Sequence, residues 1–216
     1  VGQHGGAVST AEQLVLHSAP LWPRVLGHPL VNAVAAGNLD PDAFDRWILA
    51  EHAFGTEFRR FIAGMVTISP TGWDAEVIAA GLAPNKCDID MVSRAALRHG
   101  TDLDVEPGPS TIGFAGYLQS QLQRGYDVAL AALYATQQVY FDAWGSIRDR
   151  TNWSTPYWPF VDTWSSAIFS DWIGGLCQLV DAASPGGPSP AMCLSFDRVV
   201  RFELQFWSAI YVGETW

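Results

Sequence analysis

The chain has 216 residues, 22 acidic against 12 basic side chains, a formal net charge of −10 at pH 7, 49% hydrophobic residues and only 16% charged ones. A single lysine, Lys86, and scattered arginines give no clustered basic surface, which excludes a protein that tracks nucleic-acid phosphates, while the apolar content excludes a disordered chain. The length suits one domain with a substantial core, in which ten Trp, six Tyr and eleven Phe either fill gaps between helices, the commoner explanation for any one Trp, or line a pocket for a flat ligand.

Apolar residues recur at helical spacing and alternating β-branched runs are nearly absent, so the pattern predicts an all-α fold. Residues 1–10 read as a flexible N-terminus and 11–216 as the domain. Ser9 to Glu12 reads as a helix cap followed by Leu14, Leu16, Leu21 and Trp22, with a break at Gly27-His28-Pro29 before a short helix ending near Gly37. Asp40-Pro41 supplies an N-cap and a first-turn proline for a long helix over about 42–68. A helix near 74–82 is expected to break at Pro84-Asn85 and to resume over about 88–99, ahead of a polar loop at 101–109. Further helices are expected over about 110–123, 126–148, 157–180 and 190–212, with the Ser184 to Pro188 stretch a helix connection and no domain boundary.

The start Val-Gly-Gln-His-Gly-Gly lacks the pattern of a signal peptide, and no apolar run approaches the roughly 18 residues of a membrane span. Three cysteines, Cys87, Cys177 and Cys193, without C-x-x-C spacing, read as reduced thiols. A cytoplasmic protein with no membrane or nucleic-acid partner is the expectation.

Charged residues inside apolar helices carry the chemical information. Glu203 lies in Val199 to Trp207 with Phe206, Trp207 and Ile210 on its own helix face; a carboxyl so placed is desolvated, its pKa rises and it suits proton transfer near neutral pH. Pairing with an Arg or Tyr as a purely structural buried carboxylate is the equal alternative. Glu51 is similar, with Phe54 three residues on and Phe58 seven on, and two such carboxylates in one pocket can orient a polar substrate edge and exchange protons with it. His52 points about 100° away and is expected in the core or at the surface. No Glu-x-x-His pair, HExxH, Walker loop, G-x-S-x-G or G-x-G-x-x-G occurs, so neither a metal nor a nucleotide cofactor is expected.

From about Leu14 to Tyr211 the chain resembles the TenA, or thiaminase II, family of the haem-oxygenase-like all-α fold. The resemblance rests on His28-Pro29-Leu30 with Gly37-Asn38-Leu39, Asp40 to Ile48, Gly113 to Leu118, Val161 to Trp164, and Phe202 to Trp207, the last being the most specific. It implies a single-domain helical bundle, a dimer or tetramer of identical chains, and hydrolysis of a C–N bond in an aminopyrimidine or thiamin-related molecule. Residue by residue, the family's C-terminal-helix glutamate matches Glu203, and its pyrimidine-gripping aspartate matches Glu51. Its aromatics match Phe54 and Phe206, and a tyrosine matches Tyr140. The chain departs from the family where Ala135-Thr136, or Gln137 with a one-residue shift, replaces the Pro-Cys that carries the nucleophile, and where Phe114 and Trp164 replace tyrosines. The resemblance thus implies acid-base catalysis by Glu203, Glu51 and Tyr140 on a small aromatic or nitrogen heterocycle, bound by Phe54, Phe114, Thr136, Gln137, Trp164, Phe206 and Trp207. A cyclisation or rearrangement in specialised metabolism, a non-catalytic binding protein and a metal-dependent oxidase are the other readings.

Overall fold

The computed structural model describes residues 8–216, which contain eleven α-helices and no strand among the described residues. Residues 1–7 of the expected flexible stretch lie outside the described residues, and helix begins at Thr10. Helix α1 (Thr10–His17) starts in a capping box: Ser9 Oγ accepts the Glu12 N–H and the Glu12 carboxylate accepts the Ser9 N–H. The helix expected to run on through Trp22 is divided. Pro20 and Pro23 lack the N–H that a continuous ladder needs, so α1 gives way to a 3-10 turn at Ala19–Leu21 and then to α2 (Trp22–Leu26).

Helix α3 (Pro29–Ala36) stops at Gly37, whose φ of +69° is left-handed. Asp40 Oδ1 then accepts from the Asp42 and Ala43 N–H groups to open α4 (Pro41–Ile68). After α5 (Gly72–Ala79), α6 (Leu82–His99) passes without interruption through Pro84-Asn85, where a break was expected. Pro84 is the third residue of α6, and its missing N–H is among those that have no intrahelical partner at a helix start. Helices α7 (Pro109–Gln121) and α8 (Tyr126–Ile147) follow. The helix expected over 157–180 is two, α9 (Trp158–Trp164) and α10 (Ala167–Ala183), because the chain turns at Ser165 and Ser166 Oγ caps the Phe169 N–H. Helix α11 (Pro190–Val212) has the expected bounds.

Helix α8 is the axis of the bundle. Its Ala129 to Leu133 run is fully buried, the mark of a helix surrounded on all sides. Helix α11 packs along α8, with α9 and α10 also against it, while α4 bears on α6, α7 and α11. Where α4, α8, α9 and α11 meet, Trp47 stacks on Trp144 at 5.1 Å and 19° between planes. Phe160 and Trp164 lie against Trp47, and Trp207 against Trp144 at 5.7 Å. Each such pair adds about 0.5–1.5 kcal/mol beyond its buried area. The ends of the long helices are tied across the fold: Arg46 of α4 donates to the Ile210 and Tyr211 carbonyls at the end of α11, and Glu214 accepts the Ser110 N–H and hydroxyl at the start of α7.

One close approach sets the position of α10 against the α5–α6 junction. Trp172 donates its indole N–H to the Val77 carbonyl at 3.0 Å, and its ring lies so near Gly81 that a Cβ there would sit 2.1 Å from Cζ2. Gly81→Val is therefore expected to lower stability by about 1–3 kcal/mol in urea unfolding. Gly116→Ala, in an exposed helical position with nothing within 4 Å of the new Cβ, is expected to raise it by about 0.5–1 kcal/mol. Equal effects of the two would contradict the packing assigned to Trp172.

Candidate active site

Helix α4 carries Glu51 into the bundle one turn after Trp47, and the spacing sets the first contact: the Trp47 indole N–H donates to Glu51 Oε1 at 2.9 Å. From α8 the Tyr140 hydroxyl donates to the same oxygen at 2.7 Å. Both donors fall on Oε1, so Oε2 is left for the cavity that Glu51 lines. Glu51 is 6% exposed, and burial raises its pKa from 4.5 to about 7; the two donors offset part of that rise and the charge of Asp88 adds to it. Tyr140 is pushed well above its usual value by burial and by Glu51 and Glu203, so it remains a phenol that donates.

Glu203, on α11, is 0% exposed, and neither of its oxygens has a hydrogen-bond partner among the described residues. Burial, then the charge of Glu51, drives its pKa well above the usual carboxyl range, which favours its protonated form. The Arg pairing weighed for this residue is not formed. The indole N–H groups of Trp144 and Trp207 are likewise buried and unpartnered. Buried polar groups without partners each cost roughly 1–3 kcal/mol, which makes their presence together at one place in the fold informative.

A cavity of about 60 Å³ opens beside Glu51. Helix α4 contributes Glu51, Phe54 and Phe58; α6 contributes Asn85, Asp88 and Ile89; α8 contributes Thr136, Gln137 and Tyr140; Trp164, Phe169 and Trp172 close it from α9 and α10. Of the residues expected from the sequence, Glu51, Phe54, Thr136, Gln137, Tyr140 and Trp164 therefore meet at one cavity. Phe114, Phe206, Trp207 and Glu203 lie in the packed layer and are not among its lining residues. Phe114 has no hydroxyl to hold at a polar surface, so it buries completely, stacking on Phe54 at 4.7 Å and on Phe202 at 5.5 Å. Phe206 backs Phe54 at 5.5 Å and also borders a separate groove near Glu214 and Trp216. Trp207 packs between Tyr140 and His28.

His28 caps α3 through Nδ1, which accepts the Leu30 N–H, so Nε2 carries the proton and donates to Ser208 at 3.0 Å. Burial, with Arg24 nearby, lowers its pKa to about 4, and it stays neutral. Thr136 donates its hydroxyl to the Ala132 carbonyl at 3.0 Å, the ordinary back-bond of a helical threonine, and no base is bonded to it. The three cysteines are free, and none lines the cavity. His52 is half-buried on α4 and does not reach the cavity.

Asp88 and Asn85 escaped the sequence reading. Burial pushes the Asp88 carboxyl up to about 6, an effect that the Trp164 indole N–H partly offsets. The available signal was their i, i+3 spacing on the face of α6 that continues into Met91 and Val92, both buried. Among the described residues, no group of three or more His, Cys, Asp or Glu side chains could hold a metal, and no helix is long and apolar enough to cross a membrane.

Helical architecture and an acidic, aromatic interior together define an all-α bundle with a cavity at its centre. No protein-family model matches the chain. An aminopyrimidine aminohydrolase from Halalkalibacterium halodurans is 22% identical over 222 aligned positions, covering 97% of this chain and 98% of that protein. A TenA homologue from Pyrococcus furiosus superposes with a TM-score of 0.88 at 22% identity, covering 94% of this chain and all of the other. A TenA homologue from P. horikoshii gives 0.87 at 17% identity, over 96% of this chain and all of the other. The solved structures establish that the chain has the fold of the TenA homologues, and the sequence match to the aminohydrolase runs from end to end.

The buried carboxyls make stability fall as pH rises. Between the ordinary 4.5 and the folded value of about 7, folded Glu51 holds a proton that the unfolded chain has released, so stability is fully present below about 4.5 and declines toward 7. Glu51 alone accounts for a loss of order 3 kcal/mol over that window. Glu203 and Asp88 act in the same sense, while His28, whose pKa is lowered, opposes them as pH drops below 6.5. Glu203→Gln, which removes an ionisable group with no partner to lose, is expected to flatten this pH dependence in chemical denaturation between pH 5 and 8. An unchanged slope would contradict the protonated burial of Glu203.

Proposed function

We propose that the chain is an enzyme that cleaves a C–N bond of a small aminopyrimidine-like heterocycle by acid-base hydrolysis without a covalent thiol intermediate. The observation that carries this reading is the buried Glu51–Tyr140 hydrogen bond, with Glu203 beside it, at the edge of an aromatic cavity. The aminohydrolase name of the relative from H. halodurans supports the reaction class.

In this mechanism the substrate ring rests against Phe54 and Trp164, and Gln137 is within the same cavity to meet a ring polar edge. Glu51, whose pKa of about 7 suits it to gain and lose a proton, takes a proton from a water molecule as its oxygen forms the new C–O bond. The C–N bond breaks, and the departing nitrogen takes up a proton originating on Glu203. The proton that Glu51 took from water then returns to Glu203 by way of Tyr140, which is hydrogen-bonded to Glu51 and next to Glu203, so the sum is one water consumed and one amine released. Two carboxyls pushed to different degrees by their surroundings, one poised near neutrality and one kept protonated, suit the opposite roles of base and acid. Thr136 has no place as a nucleophile because its hydroxyl is engaged by the Ala132 carbonyl and no base activates it.

A non-catalytic binding protein is the second reading, favoured by the lack of any thiol at the cavity. Assembly as a dimer or tetramer, a cytoplasmic setting and a single domain over 11–216 belong to the same proposal by resemblance.

The test is incubation of purified protein with thiamin and with an aminomethyl-aminopyrimidine, following release of thiazole or ammonia. Turnover is expected to lose about 10²-fold or more in kcat in Glu203→Gln, and to stay within about twofold in Thr136→Ala. Unchanged turnover in Glu203→Gln would remove the acid-base assignment. Tight binding of either compound with no release of product would establish the second reading.

A further inference from the structure

The end of the cavity formed by α6 has a polarity that the hydrolysis above does not use. Asn85 lines the cavity and is 7% exposed; its Nδ2 donates to the Gly55 carbonyl at 3.2 Å. That bond fixes the amide, since only the NH₂ group can face a carbonyl oxygen, and so Oδ1 is the buried atom that has no partner among the described residues. One turn along α6, Asp88 presents a carboxylate to the same cavity, in which Glu51 is the second. Among the described residues no lysine, arginine or histidine lines it, and the remaining surface is largely aromatic, with Phe54, Trp164 and Trp172.

An acceptor without a donor and carboxylates without a counter-ion are costly inside a protein, and both are satisfied by one kind of ligand group: a cation bearing several N–H bonds. Aromatic faces add to the same preference, because the negative face of a ring attracts a cation. An anionic group would meet two carboxylates and no compensating charge.

We propose that Asn85 Oδ1 and the Asp88 carboxylate form a subsite for a protonated amine of the substrate, so that the site selects cationic, unphosphorylated amines over neutral or anionic molecules with the same ring. Asp88 provides the charge and Asn85 the second acceptor, and Gly55 positions Asn85. This deepens the reading of the site given under Proposed function, yet its test does not require turnover.

The experiment is calorimetric titration, at about pH 8, of wild-type protein, Asp88→Asn and Asn85→Leu with three probes of one shape: benzylamine, benzyl alcohol and benzoate. At that pH benzylamine is charged and both cavity carboxyls lie above their midpoints. Wild type is expected to bind benzylamine about tenfold or more tightly than benzyl alcohol, and benzoate weakest, as one charge-assisted hydrogen bond implies. Asp88→Asn is expected to bring benzylamine and benzyl alcohol within about threefold of each other while leaving the affinity for the alcohol within about twofold, a readout that a merely unfolded variant cannot give. Asn85→Leu is expected to lower the preference for the amine by a smaller factor. Failure of wild-type protein to bind benzylamine, or to prefer it to the alcohol, overturns the proposal, as does an undiminished preference in Asp88→Asn. Failure of aminopyrimidine hydrolysis with this preference intact would instead remove only the reaction assigned to the site.

Discussion

Two carboxyls, Glu51 and Glu203, are buried in an aromatic interior where, among the described residues, no cationic side chain pairs with either, and much of the structure around them answers to that fact. A lone buried carboxylate is too costly to retain its charge, so each either gathers neutral donors or keeps its proton. Glu51 does the first, with Trp47 and Tyr140 on one oxygen; Glu203 does the second. The difference sets their electrostatics. Donors moderate the rise at Glu51 and bring it close to neutrality, whereas nothing moderates Glu203.

The tryptophans serve this arrangement more than they serve the cavity surface. Trp47 is both a donor to Glu51 and the centre of the stack with Trp144, Phe160 and Trp164, so the residue that supports the carboxyl is itself held rigid. Trp207 lies against Tyr140 at 5.9 Å. Only Trp164 and Trp172 reach the cavity, each presenting an aromatic surface and an indole N–H that binds within the protein or at its edge. Ring replacements thus have unlike results: Phe114 withdraws behind the cavity, while Trp164, also buried, lines it with its indole N–H toward Asp88.

Much of this was legible in the residues. Helical period, Ser9 and Asp40 as caps, and the glycine stop at Gly37 follow from local chemistry, which depends on neighbours within one or two turns. Glu51 and Glu203 stood out because a charge among aromatics on one helix face is anomalous wherever the helix packs. The misjudged boundaries share a cause: proline and serine were read by their general tendencies, but Pro84 falls at a helix start where it does no harm, and Ser166 begins a helix where continuity was expected. Asp88 was invisible for another reason. Its neighbours Lys86, Cys87 and Asp90 give α6 an ordinary solvated appearance, and only the packing of α4, α8 and α9 over one of its faces takes the carboxyl out of water.

The sequence by itself determined that the chain is an all-α bundle with an acidic, aromatic interior, because helix period, capping and the burial of apolar side chains are local or one-dimensional properties. Tertiary structure alone decided which aromatic residues face the cavity and which lie behind it, that both donors to Glu51 fall on a single oxygen, and that Asn85 and Asp88 complete the site. Those are matters of distance between helices far apart in the chain, and a shift of one helix by a fraction of a turn would change them while leaving every motif intact.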